Sequence, residues 1–224
     1  EAPQADLVEW GRMVERVKNP SSGTVRIAVV GKYTELVDAY KSVQQGLIHG
    51  GIANDVKVKI EWVSSERYEG GALEGHFESF DGLLIPGGFG DRGIEGMLMA
   101  IEWARENGLP FFGICLGLQC AIIEYARNVS GRTGANSVEF DADTEHPVIC
   151  LMDSQQQVTT KGGTMRLGEY AASLQEGSRV EEVYADQEIK ERHRHRYEVN
   201  NEYRELFERS GLIMSGTSSD QGLV

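Results

Sequence analysis

Cysteine is scarce in this sequence: there are three among 224 residues, and none forms a C-x-x-C pair. A disulfide framework is therefore not expected, and each thiol has to be explained on its own. Cationic residues are few as well. Lys and Arg total 22 against 35 Asp and Glu, and the net charge of −13 repels phosphate, which sets aside nucleic acid and anionic membrane surfaces as partners. No apolar run approaches the roughly 18 residues of a membrane helix, and 1–6 lack the apolar core of a signal peptide, so a cytoplasmic protein is expected. Only 5 prolines accompany 27 glycines and 40% apolar residues, a balance that excludes a disordered or fibrous chain and leaves material for a sizeable core. The length suits one α/β domain. The chain opens on Glu1 rather than Met, which suggests a piece of something longer.

Along the chain, Leu7, Trp10, Met13, Val14 and Val17 recur at helical spacing before Asn19-Pro20-Ser21-Ser22-Gly23 breaks the pattern. This predicts a leading helix and interdomain linker over 1–23, with the domain proper over 24–224. Thr24 to Val30 is apolar and β-branched, ends at Gly31, and is followed by a helical period over 39–48. Val56 to Val63 alternates strictly, the mark of a half-buried strand near a sheet edge. Gly82 to Ile85 is a short apolar run ending at Pro86-Gly87-Gly88, as buried parallel strands do. A helix is predicted over 97–107 and a strand over 109–114. An amphipathic helix follows over 116–129, with Leu118, Ala121, Ile122, Tyr125 and Val129 on its apolar face. Strand and helix alternate this far, which predicts a doubly wound, mostly parallel α/β sheet with ligands at the carboxyl ends of its strands. Beyond 136 the pattern predicts a strand over 147–152, a polar stretch over 153–163, a basic strand over 191–197, a short helix over 203–210 and a strand over 212–215.

The turn Gly113-Ile114-Cys115-Leu116-Gly117 has a strand before it and a helix after it. G-x-C-x-G in that setting has the form of a nucleophile elbow: a sharp turn strains the nucleophile's backbone, and glycines two residues either side avoid clashes with neighbouring chain. A helix N-terminus favours a thiolate over a thiol, and the Leu116 N–H faces an oxygen that turns negative when Cys115 attacks a carbonyl. An unmodified cysteine is ordinarily one more small buried apolar residue. That reading is kept for Cys120 and Cys150; spacing and context reverse it for Cys115. Pro86-Gly87-Gly88-Phe89-Gly90, also past a strand, is dense enough in glycine for backbone N–H groups to approach a ligand closely. A phosphate loop is the competing reading, set aside because neither G-x-x-x-x-G-K-[ST] nor G-x-G-x-x-G is read in the chain, and because Gly31-Lys32 lacks both the upstream glycine and the following Ser or Thr. Two glycine turns and one thiol point together to acyl transfer.

With Arg92-Gly93-Ile94-Glu95-Gly96 added to the Pro86–Gly90 loop, and Leu118-Gln119 to the elbow, the chain resembles a class I (triad-type) glutamine amidotransferase domain. Gly31-Lys32-Tyr33, the run from Asp38 to Val43, Ala135-Asn136-Ser137, the run from Gly162 to Gly168, and RHRHRYEVN from Arg192 to Asn200 resemble the CTP synthase family in particular. The match runs from about Ala5 to the last residue. The resemblance implies a flavodoxin-like fold and a glutaminase that converts L-glutamine to glutamate and ammonia. The ammonia would pass to an N-terminal synthetase domain for ATP-dependent amination of UTP to CTP. Position by position it implies Cys115 as nucleophile and the amides of Gly88 and Leu116 as oxyanion hole. It implies Gly88, Leu116, Gly117, Leu118, Gln119, Glu139 and Arg196 around the glutamine. No cofactor or metal is implied for this domain; ATP, Mg and allosteric GTP are implied for the full-length enzyme, as is a homo-oligomer, a tetramer. The chemistry of the residues agrees. Free glutamine presents an ammonium and a carboxylate, which an acidic residue and a guanidinium match.

Such a thiol needs a base, usually a His held by a carboxylate. In this family the two lie in a short His-Pro-Glu segment after the final strands, which here falls beyond Val224. None of His49, His76, His146, His193 and His195 sits in such a segment, and none is given the role. The stretch between Met152 and Gly162 is also shorter than the family's loop. A polypeptide that stopped at Val224 is expected to turn over almost no glutamine, with Cys115 still open to an electrophilic glutamine mimic. Three rivals follow from the same residues. One is an amidotransferase with another acceptor, which RHRHRYEVN argues against; one is a non-catalytic module binding in the same pocket; the third is a cysteine peptidase taking peptides.

Overall fold

The β-branched run read at 24–30 forms strand β1 (Thr24–Gly31) in the computed structural model, which describes residues 5–36, 38–71, 75–151, 166–219 and 222–223. The chain divides into two units, Glu1–Leu118 and Gln119–Val224. In the first, α1 (Val8–Lys18) leads into β1. Then come α2 (Lys41–Ala53), β2 (Lys57–Ser64), β3 (Gly82–Ile85), α3 (Ile94–Asn107), β4 (Phe111–Gly113) and the start of α4 (Leu116–Asn128). The sheet order is β2-β1-β3-β4, and each of these pairings is parallel. The chain steps from β1 to β2 on one side and returns to the other side with β3. The order therefore reverses between β1 and β3, the place where open α/β sheets bind their ligands. As its alternation indicated, β2 lies at the edge with every second residue exposed along most of its length. All of β3 is buried. Ala28, Val29, Val30, Leu83 and Ile85 pack into the core with Tyr68, Phe77 and Ile101.

Two helices are longer than their periodicity indicated, because glycines inside them serve packing. A β-carbon on Gly51 of α2 would lie 2.6 Å from Val58 Cγ2, and one on Gly96 of α3 would lie 1.9 Å from the Ser65 carbonyl oxygen. In both cases the missing side chain lets the helix close on its neighbour. The apolar face of α4 also differs from the expected one. Leu116, Cys120, Ile122, Ile123 and Ala126 are buried, whereas Leu118 and Val129 are exposed. The helix is apolar nearly all round, so periodicity alone admits more than one face.

In the second unit α4 continues. It is followed by β5 (Asn136–Ser137), β6 (Pro147–Leu151), β7 (Arg166–Leu174), α5 (Arg179–Tyr184), β8 (Glu188–His195), β9 (Tyr197–Val199), α6 (Arg204–Arg209) and β10 (Gly216–Ser218). One sheet is antiparallel in the order β10-β7-β8. In the other, β6 runs parallel to β5 and antiparallel to β9. The basic segment from 191 lies on β8 with most side chains exposed, as a polar strand face does. The strand expected over 212–215 does not form. Gly211 turns the chain at φ +99°, and the Leu212 N–H donates to the Phe207 carbonyl at 3.0 Å, which closes α6; strand pairing starts only at Gly216. Helix α5, not anticipated, carries a capping signal: Ser178 Oγ accepts from the Glu181 N–H at 3.2 Å while Glu181 accepts from the Gly177 N–H at 3.4 Å. Residues 1–4 of the leading segment, the last residue of the 147–152 strand, the polar stretch 153–163 and the run from Gly162 to Met165 lie outside the described residues. No described helix is long and apolar enough to cross a membrane.

Candidate active site

Strand β4 ends at Gly113 and α4 starts at Leu116, so Ile114 and Cys115 alone make the turn. Cys115 consequently adopts φ +55°, a left-handed conformation that stores about 1–3 kcal/mol in a residue with a side chain. The Ile114 N–H donates to the Ile85 carbonyl at 2.9 Å and the Gly117 N–H to the Ile114 carbonyl at 2.9 Å. Contact dictates the flanking glycines. A β-carbon on Gly113 would sit 2.5 Å from the Gly117 carbonyl carbon, and one on Gly117 2.1 Å from the Ile85 carbonyl oxygen. The G-x-C-x-G spacing is thus what permits a helix to leave the strand at this angle. Cys115 is half-buried, so its thiol is not enclosed in the core. The Leu116 N–H opens the helix and has no carbonyl one turn earlier within it.

The glycine loop after β3 lies against this elbow. A β-carbon on Gly87 would be 3.8 Å from Cys115 Sγ; one on Gly88 would be 3.0 Å from Leu116 Cδ2 and 3.5 Å from Lys32 Cδ. The Gly88 backbone therefore comes close to both the Leu116 side chain and the stem of Lys32. Lys32 follows β1 and is only 6% exposed. Its ammonium donates to the Phe89 carbonyl at 3.1 Å and to the Gly90 carbonyl. Its own backbone is fixed at both ends, the N–H donating to the Tyr40 hydroxyl at 3.2 Å and the carbonyl accepting from Arg92 at 3.1 Å. Burial raises the Tyr40 pKa and keeps that hydroxyl protonated. Lys32, set aside in the sequence as a P-loop fragment, is the residue of this site that sequence reasoning missed. Gly88, Gly90 and Gly93 do stand at the G-x-G-x-x-G spacing of dinucleotide loops, which corrects the reading that this pattern is missing from the chain. That fingerprint belongs to the first βα turn of a sheet, whereas this loop follows β3. Gly93 has a packing reason of its own, since a β-carbon there would lie 2.2 Å from Ser65 Oγ.

In the second unit, Gln119 Nε2 donates to the Tyr197 carbonyl at 3.0 Å. Burial raises the pKa of the Tyr197 phenol; the Glu139 carboxylate adds to the rise and the Arg196 guanidinium opposes it. Tyr197 thus lies in the fields of both charges, and Gln119, Glu139 and Arg196 share its surroundings. Glu139 stands in the turn after β5, its N–H held by Ser137 Oγ at 3.2 Å. Arg196 is the single residue between β8 and β9, and its neighbour His195 lies 3.4 Å from Glu198. The structure accordingly gathers Cys115, Gly88, Leu116 and Gly117 in the first unit, with Leu118 following them on α4, and Gln119, Glu139 and Arg196 in the second. Among the described residues no group of three or more His, Cys, Asp or Glu is placed to hold a metal ion.

Residues 35–224 match the family model for glutamine amidotransferase class-I. The CTP synthase of Caldanaerobacter subterraneus subsp. tengcongensis is 53% identical over 221 residues, which cover 99% of this chain and 41% of that protein. The CTP synthase of Desulfitobacterium hafniense is 55% identical over 224 residues, covering 100% of this chain and 42% of that protein. The chain thus spans about two fifths of the length of the curated relatives it matches. Among solved structures, the glutaminase domain of Trypanosoma brucei CTPS with bound acivicin is similar at a TM-score of 0.79 and 40% identity, over 87% of this chain and 75% of that one.

Proposed function

This chain belongs to the class-I glutamine amidotransferase family, and from that premise we propose that Cys115 hydrolyses L-glutamine and that the ammonia feeds CTP formation in a longer protein. The observation that carries the reading is the φ of +55° at Cys115. Such strain persists only where the surroundings enforce it, and here Gly113, Gly117 and Ile85 do so. A cysteine that merely filled space would need none of this.

The Cys115 thiolate attacks the side-chain amide carbon of glutamine. The carbonyl oxygen becomes negative within reach of the Gly88 and Leu116 N–H groups, the C–N bond breaks, and the amine leaves as ammonia after taking up a proton. Water then adds to the glutamyl thioester, releasing glutamate and restoring the thiol. Glu139 pairs with the α-ammonium of the substrate, and Arg196 takes both oxygens of its α-carboxylate. Gly117, Leu118 and Gln119 line the helix side of the substrate. No proton step is assigned to a histidine of this chain.

The identity to CTP synthases runs the length of the chain, and this supports assigning the remaining three fifths of such a protein to a synthetase domain. There UTP, activated by ATP with Mg, would accept the ammonia, GTP would act as effector, and the whole would assemble as a homo-tetramer in the cytoplasm. The test is made on the full-length protein. Cys115→Ala is expected to abolish ammonia release from glutamine, while ammonium salts added directly still sustain CTP formation. Glutamine turnover that survives in Cys115→Ala removes the nucleophile assignment. Failure of the unaltered protein to form CTP from either nitrogen source removes the synthetase assignment.

A further inference from the structure

We propose that Lys32 is a positioning residue for the oxyanion hole: its buried ammonium draws two successive carbonyls of the glycine loop together and so sets the backbone of Gly88 beside Leu116, next to the elbow cysteine. The inference rests on the proposed roles of Cys115 and Gly88.

The loop cannot define itself. Three of its five residues are glycine, which has no preferred hand, so the Gly87-Gly88 segment can rotate its N–H in several directions at little energetic difference. Something outside the loop must choose. Lys32 touches it twice. Its ammonium donates to the carbonyls of the next two residues, which aims those of Phe89 and Gly90 at Nζ, and Gly90, at φ +76°, permits both to turn to the same side. Because a peptide is planar, fixing the Phe89 carbonyl fixes the plane that follows Phe89, and only the dihedrals of Phe89 and Gly88 then separate it from the Gly88 N–H. Close approach narrows these further, since a Gly88 β-carbon would lie 3.5 Å from Lys32 Cδ, 3.8 Å from Cε and 3.0 Å from Leu116 Cδ2. A buried ammonium is costly unless hydrogen-bonded, so the carbonyls and the charge stabilise each other and fix the loop without a ligand. Lys32 touches no reacting atom in this account; it acts through the loop.

The experiment compares Lys32→Met and Lys32→Gln in the full-length protein by three readouts: kcat and KM for glutamine hydrolysis, and the rate at which iodoacetamide alkylates Cys115, followed by mass spectrometry of its peptide. Displacement at a saturated carbon makes no oxyanion, so alkylation depends on the thiol but not on the hole. Lys32→Met is expected to lower kcat about 100-fold, the size of losing one oxyanion donor, with KM and alkylation unchanged. Lys32→Gln, which keeps a neutral donor on a shorter stem, is expected to fall between Lys32→Met and the unaltered protein, and it carries the test alone if Lys32→Met does not fold. An undiminished kcat, a change confined to KM, or alkylation lost in parallel with turnover overturns the inference. An inactive Cys115→Ala beside a fully active Lys32→Met removes this inference alone; an active Cys115→Ala removes the nucleophile reading on which it stands.

Discussion

Replacing Gly117 by Ala sets helix propensity against contact at one atom. Gly117 is the second residue of α4 and is not at positive φ, so alanine meets no dihedral penalty, and propensity favours it by about 0.5–1 kcal/mol. Against this, the new β-carbon would stand 2.1 Å from the Ile85 carbonyl oxygen. That oxygen belongs to the last residue of β3 and cannot rotate aside as a side chain can. It also accepts the Ile114 N–H at 2.9 Å, a bond that must lengthen if the strand gives way. Overpacking of this kind costs about 1–3 kcal/mol and a weakened buried hydrogen bond about 1 kcal/mol more. The net expectation is a loss of about 1–3 kcal/mol, together with loss of glutaminase turnover as the elbow opens. Gly46→Ala and Gly50→Ala provide the control, because a β-carbon at either position of α2 meets nothing within 4 Å. Both are expected to stabilise by about 0.5–1 kcal/mol. The assay is urea unfolding followed by tryptophan fluorescence. All three tryptophans, Trp10, Trp62 and Trp103, lie in the first unit, so the signal follows the unit that contains the elbow. Gly117→Ala as stable as the unaltered protein, with the same denaturant slope, would refute the reasoning that contact fixes this glycine.

Cys115→Gly is expected to be about 1 kcal/mol more stable than Cys115→Ala in the same unfolding assay, since only glycine adopts φ +55° without steric cost; both should be inactive, and equal stabilities would deny the strain. Arg196→Lys should raise KM for glutamine by about 10- to 100-fold with a smaller change in kcat, because a two-oxygen grip becomes a single point charge; an unchanged KM removes Arg196 from the glutamine site. Tyr68 is fully buried, its hydroxyl has no partner among the described residues, and burial pushes its pKa up to about 12. Its folded pKa thus lies above the unfolded value near 10, so the stability it confers is complete below about pH 10 and is lost as pH rises toward about 12. Tyr68→Phe should be neutral or stabilising at pH 7 and should flatten that alkaline decline in unfolding measured from pH 7 to 11; a decline as steep as before would mean another group causes it.

Much of the first unit is legible in sequence because its signals are local. The continuous apolar run of β3 and the alternation of β2 each report burial on one short segment, and the elbow reports a two-residue constraint on either side of Cys115. Glycine is where this legibility fails. The helical periods over 39–48 and 97–107 stop short of Gly50-Gly51 and Gly96, yet Gly51 and Gly96 are required by contacts with Val58 and Ser65 in elements that sequence periodicity does not bring near. An absent side chain looks the same in sequence whether the backbone needs freedom or a neighbour needs room. The second unit shows a similar limit. Ser178 with Glu181 was a readable cap for α5, but the end of the 212–215 pattern depended on Leu212 closing α6, which apolar composition cannot show. Glu139 and Arg196 come only from the family resemblance; by themselves they are two half-buried charges, and what links them is that both act on the Tyr197 phenol.

Lys32 shows why motif absence is weaker evidence than motif geometry. A lysine just past the first strand of a parallel sheet suggests phosphate, because in a P-loop the backbone N–H groups and the ammonium converge on one anion. Here the polarity of the loop is reversed. Carbonyl oxygens of Phe89 and Gly90 converge on the ammonium, and in a trans peptide the N–H points away from the side its carbonyl faces. A loop wound this way satisfies its lysine internally and leaves that charge directed at its own backbone rather than at a ligand phosphate. The same two ingredients, a glycine-rich turn and a buried lysine, therefore favour anion capture or oxyanion geometry according to which end of the peptide meets the cation. Sequence spacing carries no record of that choice, and the hydrogen bonds of the Lys32 ammonium do.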